Sequence, residues 1–259
     1  MGRGHPDVQL ALSLQSPAAR RAAGLCLLEG SHLVGEALDA GLEPVAAFLT
    51  PAWISGEAAA FARLRSAFTA AARTEHLHVV GERLAAALAR TRSPQGCVAI
   101  FQLASALAAS APVAVALDAV QDPGNVGAIA RCLLAFGGAG SLLLTGPGTA
   151  DPLGDKALRA SAGAVFHLSH RAVVDLAAAL DPDRAWWAMQ PRAGTPLCGG
   201  LLRPPVGLVI GSEGAGVSPA VAARCRRLTL AMPGPVESLN AAVAAGIALH
   251  AVAWSSPPS

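Results

Sequence analysis

Hydrophobic and polar residues alternate along the chain in two ways, as short apolar runs and as longer stretches with helical spacing. The apolar runs are bounded by turn residues, as in buried strands, and the stretches between them have the spacing of amphipathic helices. Ser31 is expected to cap the first helix and Gly41 to end it. In the first half the pattern predicts strands at 25–29, 45–50, 77–80 and 97–102, and helices at 31–41, 57–68 and 82–90.

The second half repeats this alternation. Strands are predicted at 113–120, 141–146, 185–190, 206–211 and 228–232, with helices from Asn125 to Phe136 and from about Ser238 to Trp254. Strands that alternate with helices predict an α/β fold, in which helices cover both faces of a mostly parallel sheet. The small-residue segment 104–112 is typical of a linker, so we expect one domain over residues 1–107 and a second over 108–259.

Composition narrows the class of protein. Hydrophobic residues make up 53% and charged residues 14% of the chain, which excludes a disordered protein. We expect no signal peptide and no membrane span, because the first residues are polar and no apolar run is long enough. The 5 cysteines are scattered without paired spacing. We therefore predict no disulfide framework, no metal site and a cytoplasmic location.

The charge pattern says little by itself, since the net charge of +2 is close to neutral. Lys156 is the only lysine, and the other basic residues are arginines. A guanidinium binds phosphate with two hydrogen bonds and stacks on bases, which favours a nucleic-acid partner. A GC-rich genome gives the same bias, so both explanations stay open.

A first motif, LDAVQDPGNVGAIAR, covers residues 117–131 and joins a strand to a helix. It is typical of a turn followed by a helix that Asn125 caps. Helical side chains tilt toward the helix N-terminus, so Arg131 can also reach back toward the loop of Asn125. An amide and a guanidinium would then meet at the carboxyl end of a strand, where α/β sheets build ligand sites. The motif alone does not decide between these interpretations.

A second motif, VGLVIGSEGAGVSP, covers residues 206–219. Its glycines allow a backbone to approach a ligand closely, and Ser218-Pro219 starts a further helix. The order is neither the GxGxxG of a dinucleotide site nor the GK[ST] of a phosphate-binding loop. A tight strand-to-helix turn explains the same residues, so this motif is weak on its own.

A third motif, LTLAMPGPVESLNAAVAAGIALH, covers residues 228–250. A Pro-Gly-Pro turn leads to Glu237, Ser238 and Asn240 at the start of the final helix. Capping by Ser238, with an inward face of Leu239, Val243, Gly246 and Ile247, would account for a stable helix. It would not account for the additional polar groups beside the turn, which indicate a functional site.

In order and spacing, the three motifs resemble those of the SpoU/TrmH family of RNA methyltransferases in the SPOUT superfamily. DPGNVGAIAR, IGSEGAG and ESLNAAVAAGIAL carry this resemblance, which covers roughly residues 113–254. More loosely, RAAGLCLLEGSHLVGEAL (21–38) and RTRSPQGCVAIF (90–101) resemble the family's N-terminal substrate-binding domain. The resemblance implies a C-terminal parallel-sheet α/β domain with a deep trefoil knot, and a smaller N-terminal α/β domain that binds RNA.

The resemblance also implies roles for individual residues and a homodimer that uses the alanine-rich final helix. S-adenosylmethionine would be bound in a bent shape by Gly211, Gly214, Leu230, Met232 and Leu239. The catalytic surface would consist of Asn125, Arg131, Glu213, Ser238 and Asn240. Small residues at Ala241, Ala245 and Gly246 are expected to let helices approach closely across the dimer contact. Ala231 and Ala241-Ala242 depart mildly from the family pattern, which affects cofactor affinity more than reaction type.

The basic residues of the first domain are the expected RNA contacts. Arg20, Arg21, Arg90 and Arg92 precede the linker and are predicted to neutralise phosphates. A separate N-terminal domain favours ribosomal RNA over transfer RNA, because the compact tRNA-modifying members of the family usually lack it.

The implied reaction is methyl transfer from S-adenosylmethionine to a ribose 2′-hydroxyl, which is a poor nucleophile until it loses its proton. Arg131 is the implied activating residue. It would act either as a base with a strongly lowered pKa, or as a cation that holds a phosphate and stabilises the alkoxide. A catalytically silent RNA-binding protein is the alternative, although it should have lost at least one polar motif residue. A nicotinamide enzyme is disfavoured because the GxGxxG turn is missing.

Overall fold

The computed structural model describes residues 2–91, 93–103 and 111–255. The chain divides into two compact units, Met1–Ser105 and Ala106–Ser259. Most of the segment 104–112, which we predicted to be a linker, lies outside the described residues. Within the described ranges, no helix is both long and apolar enough to cross a membrane.

The N-terminal unit combines short helices with four strands. Its strands are β1 (Leu25–Glu29), β2 (Pro44–Leu49), β3 (Leu77–Val79) and β4 (Cys97–Gln102). Its helices are α1 (Pro6–Ser13), α2 (Pro17–Ala23), α3 (Ser31–Asp39), α4 (Pro51–Gly56), α5 (Ala58–Ala70) and α6 (Glu82–Leu88), and a 3-10 turn covers Thr74–His76. The predicted elements are confirmed to within a few residues, and the helices α1, α2 and α4 are additions that the sequence pattern did not indicate.

The sheet of this unit has the order β1-β4-β2-β3. Strand β4 is antiparallel to both of its neighbours, and only β2 and β3 are parallel. The expectation of a mostly parallel sheet was therefore wrong here, because the last strand enters the middle of the sheet in the opposite direction. Phe48 and Ile100 from the sheet pack with Val8 of α1 and Leu88 of α6 in the core of this unit.

The C-terminal unit contains the predicted α/β architecture. Its strands are β5 (Val113–Asp118), β6 (Leu142–Thr145), β7 (Ser169–Ala172), β8 (Ala185–Met189), β9 (Thr195–Pro196), β10 (Val206–Gly211) and β11 (Arg226–Thr229). Its helices are α7 (Pro123–Gly137), α8 (Asp155–Ser161), α9 (Leu176–Ala179), α10 (Pro219–Ala222) and α11 (Ala241–Trp254), and a 3-10 turn covers Ala164–His167. Strand β11 ends at Thr229, three residues before the predicted end at Met232.

The seven strands form one sheet with the order β7-β6-β5-β10-β8-β11-β9, in which every described pair of neighbours is parallel. Helices α7 and α11 cover one face, where Ile129 and Leu249 join a core with Leu117 and Leu208 of the sheet. On the other face Leu176 and Val221 pack against Ala116, Trp186 and Val209. Because all strands are parallel, their carboxyl ends and the motif loops that follow share one edge.

The three polar caps of the sequence interpretation were assigned to the wrong residues. Gly30 precedes α3, while the Ser31 hydroxyl accepts a hydrogen bond from Trp53 Nε1 at 2.9 Å. Asp122, not Asn125, caps α7 and stands before a proline at the first helical position. Asn240, not Ser238, caps α11 and accepts the amides of Ala242 and Val243. Asn125 and Ser238 are thus not needed as caps.

Helix α11 buries a different face from the one predicted. Ala245, Ala248 and Leu249 are fully buried, whereas Val243 and Ile247 are 52% and 44% exposed. A side chain at Gly246 would lie 3.3 Å from Cys132 Sγ of α7. The small residues therefore let α11 approach α7 of the same chain, and Ala245 is not available for contact with a second chain. The trefoil knot stays a prediction.

Candidate functional site

The candidate site lies at the carboxyl edge of the parallel sheet. The loops after β8, β10 and β11 surround a pocket of about 760 Å³. This volume falls in the range of small-molecule and cofactor pockets, roughly 300–1,000 Å³. The lining residues from the sequence motifs are Gly211, Glu213, Gly214, Leu230, Met232, Ser238, Leu239 and Asn240.

The glycine-rich loop after β10 is closed by its own backbone. Ser212 and Gly216 exchange two backbone hydrogen bonds, with N–O distances of 3.2 and 3.0 Å. A Cβ atom at Gly211 would lie 2.1 Å from the carbonyl carbon of Gly216, so only glycine fits this turn. The backbone N–H of Ser218 donates to Asp118 Oδ2 at 2.7 Å, which attaches the loop to the end of β5. The loop shape is thus fixed before any ligand is considered.

A chain of hydrogen bonds joins residues from all three motifs. Asn125 Nδ2 donates to Glu213 Oε1 at 2.5 Å. Asn240 Nδ2 donates to Asn125 Oδ1 at 3.0 Å, while its own Oδ1 caps α11. The two bonds orient the Asn125 amide, with its nitrogen toward Glu213 and its oxygen toward Asn240. Within the described residues Glu213 has no other hydrogen-bond partner, so its second carboxylate oxygen is available to a ligand.

At the start of α7, Asp122 forms an exposed ion pair with Lys156 next to Asn125. Asp122 Oδ1 accepts the backbone N–H of Asn125 at 3.0 Å, and Asp122 Oδ2 lies 2.8 Å from Lys156 Nζ. The hydrogen bond from Lys156, followed by that from the Asn125 backbone, lowers the pKa of Asp122. The start of α7 therefore keeps a carboxylate cap at neutral pH.

Two of the predicted catalytic residues, Ser238 and Arg131, are not part of this hydrogen-bonded group. Ser238 lines the pocket but is exposed in the loop before α11. Arg131 is exposed on α7, does not line the pocket, and has no hydrogen-bond partner among the described residues. Asn125, Glu213 and Asn240 are thus brought together within one chain, and Arg131 is not.

Residues that the sequence interpretation did not single out also contribute. Gln190 and Arg192 line the pocket from the loop after β8, and Ile210 lines it from β10. The signal for the first two was present, because β8 was predicted as a strand and parallel strands end at the same edge. The pairing of Asp122 with Lys156 had no such signal, since it depends on how α8 packs.

The chemistry of the lining suits a ligand with a flat apolar part and polar edges. Ile210, Leu230, Met232 and Leu239 provide the apolar surface, and Glu213 and Asn240 provide acceptors and donors. A Cβ atom at Gly214 would meet nothing within 4 Å, so the loop leaves open space there. An adenine ring with a charged amino-acid tail fits these features.

The predicted RNA contacts of the N-terminal unit occupy different environments. Arg20 is 1% exposed and donates from Nη1 to the carbonyl oxygens of Leu14 and Gln15, at 2.8 and 3.2 Å. Its assignment as an RNA contact was therefore wrong, because its guanidinium holds the turn between α1 and α2. Arg21 is exposed, Arg90 is half-buried, and Arg92 lies outside the described residues.

The segment that contains Arg90 is held by a single carboxylate. Glu29, at the end of β1, is 9% exposed and accepts the backbone N–H groups of Arg90 and Thr91 at 2.8 and 3.1 Å. It also accepts the Thr91 hydroxyl at 2.6 Å and the Gln95 N–H at 3.3 Å. These bonds fix the path of the chain before β4.

Comparisons with known proteins agree with this geometry. Residues 112–250 match the SpoU rRNA Methylase family, and residues 5–99 match the MRM3-like substrate binding domain. An uncharacterized tRNA/rRNA methyltransferase of Synechocystis is 30% identical over 254 residues, which cover 95% of this chain and 90% of that protein. The 23S rRNA (guanosine(2553)-2'-O)-methyltransferase RlmP of Bacillus subtilis is 31% identical, with 86% of each chain covered.

Coverage differs among the relatives. The chain spans only 38% of the length of a second Synechocystis tRNA/rRNA methyltransferase, with which it is 38% identical over 148 residues. Among solved structures, AdoMet-bound rRNA methyltransferase from Sinorhizobium meliloti is 25% identical with a TM-score of 0.72. That match covers 97% of this chain and 95% of the other.

Proposed function

The chain belongs to the SpoU rRNA Methylase family, and from this we propose that it transfers the methyl group of S-adenosylmethionine to a ribose 2′-hydroxyl of 23S ribosomal RNA. The observation that carries the proposal is the hydrogen-bonded chain Glu213–Asn125–Asn240 beside the pocket. A cytoplasmic location is part of the proposal, because ribosomal RNA is modified where ribosomes assemble.

S-adenosylmethionine occupies the pocket in this proposal. Its sulfonium supplies an activated methyl group, so the protein needs mainly to align the acceptor oxygen with it. Leu230, Met232 and Leu239 contact the apolar part of the cofactor. The closed loop of Gly211 presents its backbone to the cofactor, and the open space at Gly214 leaves room for it.

The hydrogen-bonded side chains of Glu213, Asn125 and Asn240 lie on the side of the pocket where the acceptor ribose binds in this proposal. Asn125 is fixed by Glu213 and Asn240, and the remaining oxygen of Glu213 and the hydroxyl of Ser238 face the ribose in the proposed complex. Fixed hydrogen-bonding groups need no reorganisation during the reaction, which is how such sites lower the barrier. Arg131 activates the hydroxyl, either as a base or as a cation that stabilises the alkoxide.

Arg131 reaches the reaction in a homodimer. It does not line the pocket of its own chain, so we place it in the pocket of a partner subunit. Helix α11 offers the contact, because Val243, Ile247 and Trp254 are 52%, 44% and 72% exposed. The three side chains recur at helical spacing along α11, exposed apolar patches mark protein interfaces, and a two-fold contact is the commonest oligomer.

The N-terminal unit binds the RNA substrate in this proposal. Its match to a substrate binding domain and the 23S rRNA-modifying relative favour ribosomal RNA. Arg21, Arg90 and Arg92 remain the proposed phosphate contacts, and Glu29 holds the backbone on which Arg90 lies.

Binding of S-adenosylmethionine tests the proposal directly. Calorimetry on the full chain should show one site for S-adenosylmethionine or its demethylated product and none for NAD. Methylation of a ribose in 23S rRNA from cells that carry the gene, and its loss in cells without it, should follow. Binding of NAD in place of the methyl donor would contradict the proposed function.

Alanine variants of the adjacent residues Arg20 and Arg21 distinguish a role in RNA binding from a role in stability. Arg21→Ala should weaken RNA binding and lower the salt slope by about one, because one phosphate contact is lost. Arg20→Ala should instead lower the free energy of unfolding by about 1–3 kcal/mol, because it leaves buried carbonyls without a donor. Affinity at several salt concentrations and denaturant unfolding check both expectations. An unchanged salt slope for Arg21→Ala would remove Arg21 from the RNA surface.

A further inference from the structure

A cluster of histidines and one carboxylate lies in the N-terminal unit, apart from the residues used above. Asp7, in the first turn of α1, accepts His78 Nε2 at 2.6 Å and His76 Nδ1 at 2.8 Å. His5 Nδ1 lies 4.0 Å from the same carboxylate oxygen. Asp7 and His78 are largely buried, with side chains 12% and 11% exposed, and His5 and His76 are about two-fifths exposed.

The arrangement differs from an ordinary carboxylate–histidine hydrogen bond. A carboxylate has two oxygens, and two imidazoles that served only as hydrogen-bond donors could use one each. Here His76 and His78 share the single atom Oδ2 of Asp7, and His5 Nδ1, which accepts the backbone N–H of Asp7, lies 4.0 Å from that atom. Imidazole nitrogens and a carboxylate oxygen gathered within a few ångströms are the ligand types of a zinc site.

We propose that His5, Asp7 and His78 bind one divalent cation of the zinc class, and that His76 donates a hydrogen bond to the ligating carboxylate. One ligand atom from each of the three residues lies within 4.8 Å of the others. Ligand atoms around tetrahedral zinc are about 3.4 Å apart, since each bond is about 2.0–2.1 Å. The 2.6 and 4.0 Å separations from Asp7 Oδ2 lie on either side of that value, so small side-chain movements form the site.

The type of ligand selects the type of metal. Two imidazoles and one carboxylate suit zinc and its neighbours in the first transition series, whereas magnesium and calcium require mainly oxygen ligands. Water completes the coordination in this proposal. His76 would fix the carboxylate from outside, as the hydrogen-bonded partners of metal ligands commonly do.

Binding of a cation would replace hydrogen bonds that the cluster makes in its absence. His78 would bind the cation through Nε2 as the neutral ring with its proton on Nδ1, in place of its hydrogen bond to Asp7 Oδ2. His5 Nδ1 would exchange the backbone N–H of Asp7 for the cation. Glu75, 3.6 Å from His76, is the other carboxylate that faces the cluster.

The role of such a site would be structural. His5 caps the first helix and Asp7 lies in its first turn, while His78 lies on β3, which is the edge strand of its sheet and only three residues long. The ligands from the two elements are 71 residues apart in sequence. A shared cation would hold the first helix against this short edge strand.

The experiment uses the full chain without an affinity tag, dialysed against a chelator. Titration with Co²⁺ should give one equivalent bound per chain, with the visible absorption of a four-coordinate site, and Zn²⁺ should displace it. Asp7→Asn and His78→Gln should each weaken binding by a factor on the order of 10² or more, and His76→Gln by about 10- to 100-fold. His32→Gln, an exposed histidine of the same unit, is the matched control and should bind as the parent does.

A second measurement, on the parent chain, tests the proposal even if the variants fail to fold. X-ray absorption on the zinc-loaded parent should show nitrogen and oxygen ligands near 2.0–2.1 Å with an imidazole signature. Sulfur ligands would assign the metal to a cysteine such as the exposed Cys198 and would overturn the proposal. So would a parent chain that binds no cobalt, or a His78→Gln variant that binds it normally.

Discussion

Replacement of Arg131 by alanine is expected to slow methyl transfer by a factor on the order of 10² or more, because the acceptor oxygen loses the residue that activates it. Cofactor affinity and the oligomeric state should be unchanged, since the proposed role of Arg131 is at the acceptor oxygen and not at the cofactor. Single-turnover methylation of the RNA substrate, with calorimetry for the cofactor, measures both. Normal turnover by the variant would remove Arg131 from the mechanism.

Arg131→Lys distinguishes the two forms of activation. Lysine keeps the charge and loses its proton at a lower pH, but it cannot form the planar pair of hydrogen bonds to a phosphate. Rescue by lysine with a shifted pH–rate profile would favour proton removal, and absence of rescue would favour a phosphate clamp.

Mixed dimers show whether Arg131 acts in the pocket of its own subunit or in that of its partner. One subunit carries Arg131→Ala and the other carries Asn240→Ala, so each has a single defect. If Arg131 acts in the partner's pocket, one pocket of the mixed dimer has both defects and the other has neither. Activity should then return to about half that of the parent. If Arg131 acts in its own pocket, every pocket has one defect and activity stays low.

Gly211→Ala is expected to weaken cofactor binding by on the order of 10- to 100-fold. The added Cβ atom would lie 2.1 Å from the Gly216 carbonyl carbon, so the loop must leave its closed path. Overpacking costs about 1–3 kcal/mol, and each 1.4 kcal/mol is tenfold in affinity. Calorimetry gives the affinity, and thermal unfolding shows whether the unit stays folded.

Gly214→Ala is the matched control, because the same atom added there meets nothing within 4 Å. It should leave thermal stability unchanged and should weaken binding less than Gly211→Ala does. Normal affinity in a folded Gly211→Ala variant would separate this loop from the cofactor site. From the sequence we inferred that glycine is needed at position 211 to let a ligand approach the backbone. In the structure it is needed because the loop itself leaves no space for a Cβ atom.

Local patterns predicted most elements because each element has its own signal. The run at 206–211 is apolar throughout and ends at a glycine, and β10 has those bounds. The cap of α7 could also have been assigned correctly, since Asp122 before Pro123 is the usual order of cap and first helical residue. The sequence motif there drew attention to Asn125 instead.

Features that depend on distant packing could not be predicted in this way. Helix α11 is apolar on every side over most of its length, so its periodicity has no contrast from which to choose a buried face. Nothing local marks β4 as a central antiparallel strand or Arg20 as a buried residue. The histidine cluster around Asp7 joins segments about 70 residues apart, so no local pattern marks it.

The hydrogen bond between Asn125 and Asn240 spans 115 residues of sequence, which has a consequence for protein synthesis. A ribosome delivers the chain N-terminal end first, so the sheet edge and the glycine-rich loop emerge well before Asn240 does. The contact between Asn240 and Asn125 and the part of the pocket lined by Ala241 and Ala244 form only once α11 has docked on α7. Under the proposed function, a nascent chain would therefore present its RNA-binding unit before its methyl-transfer site is complete.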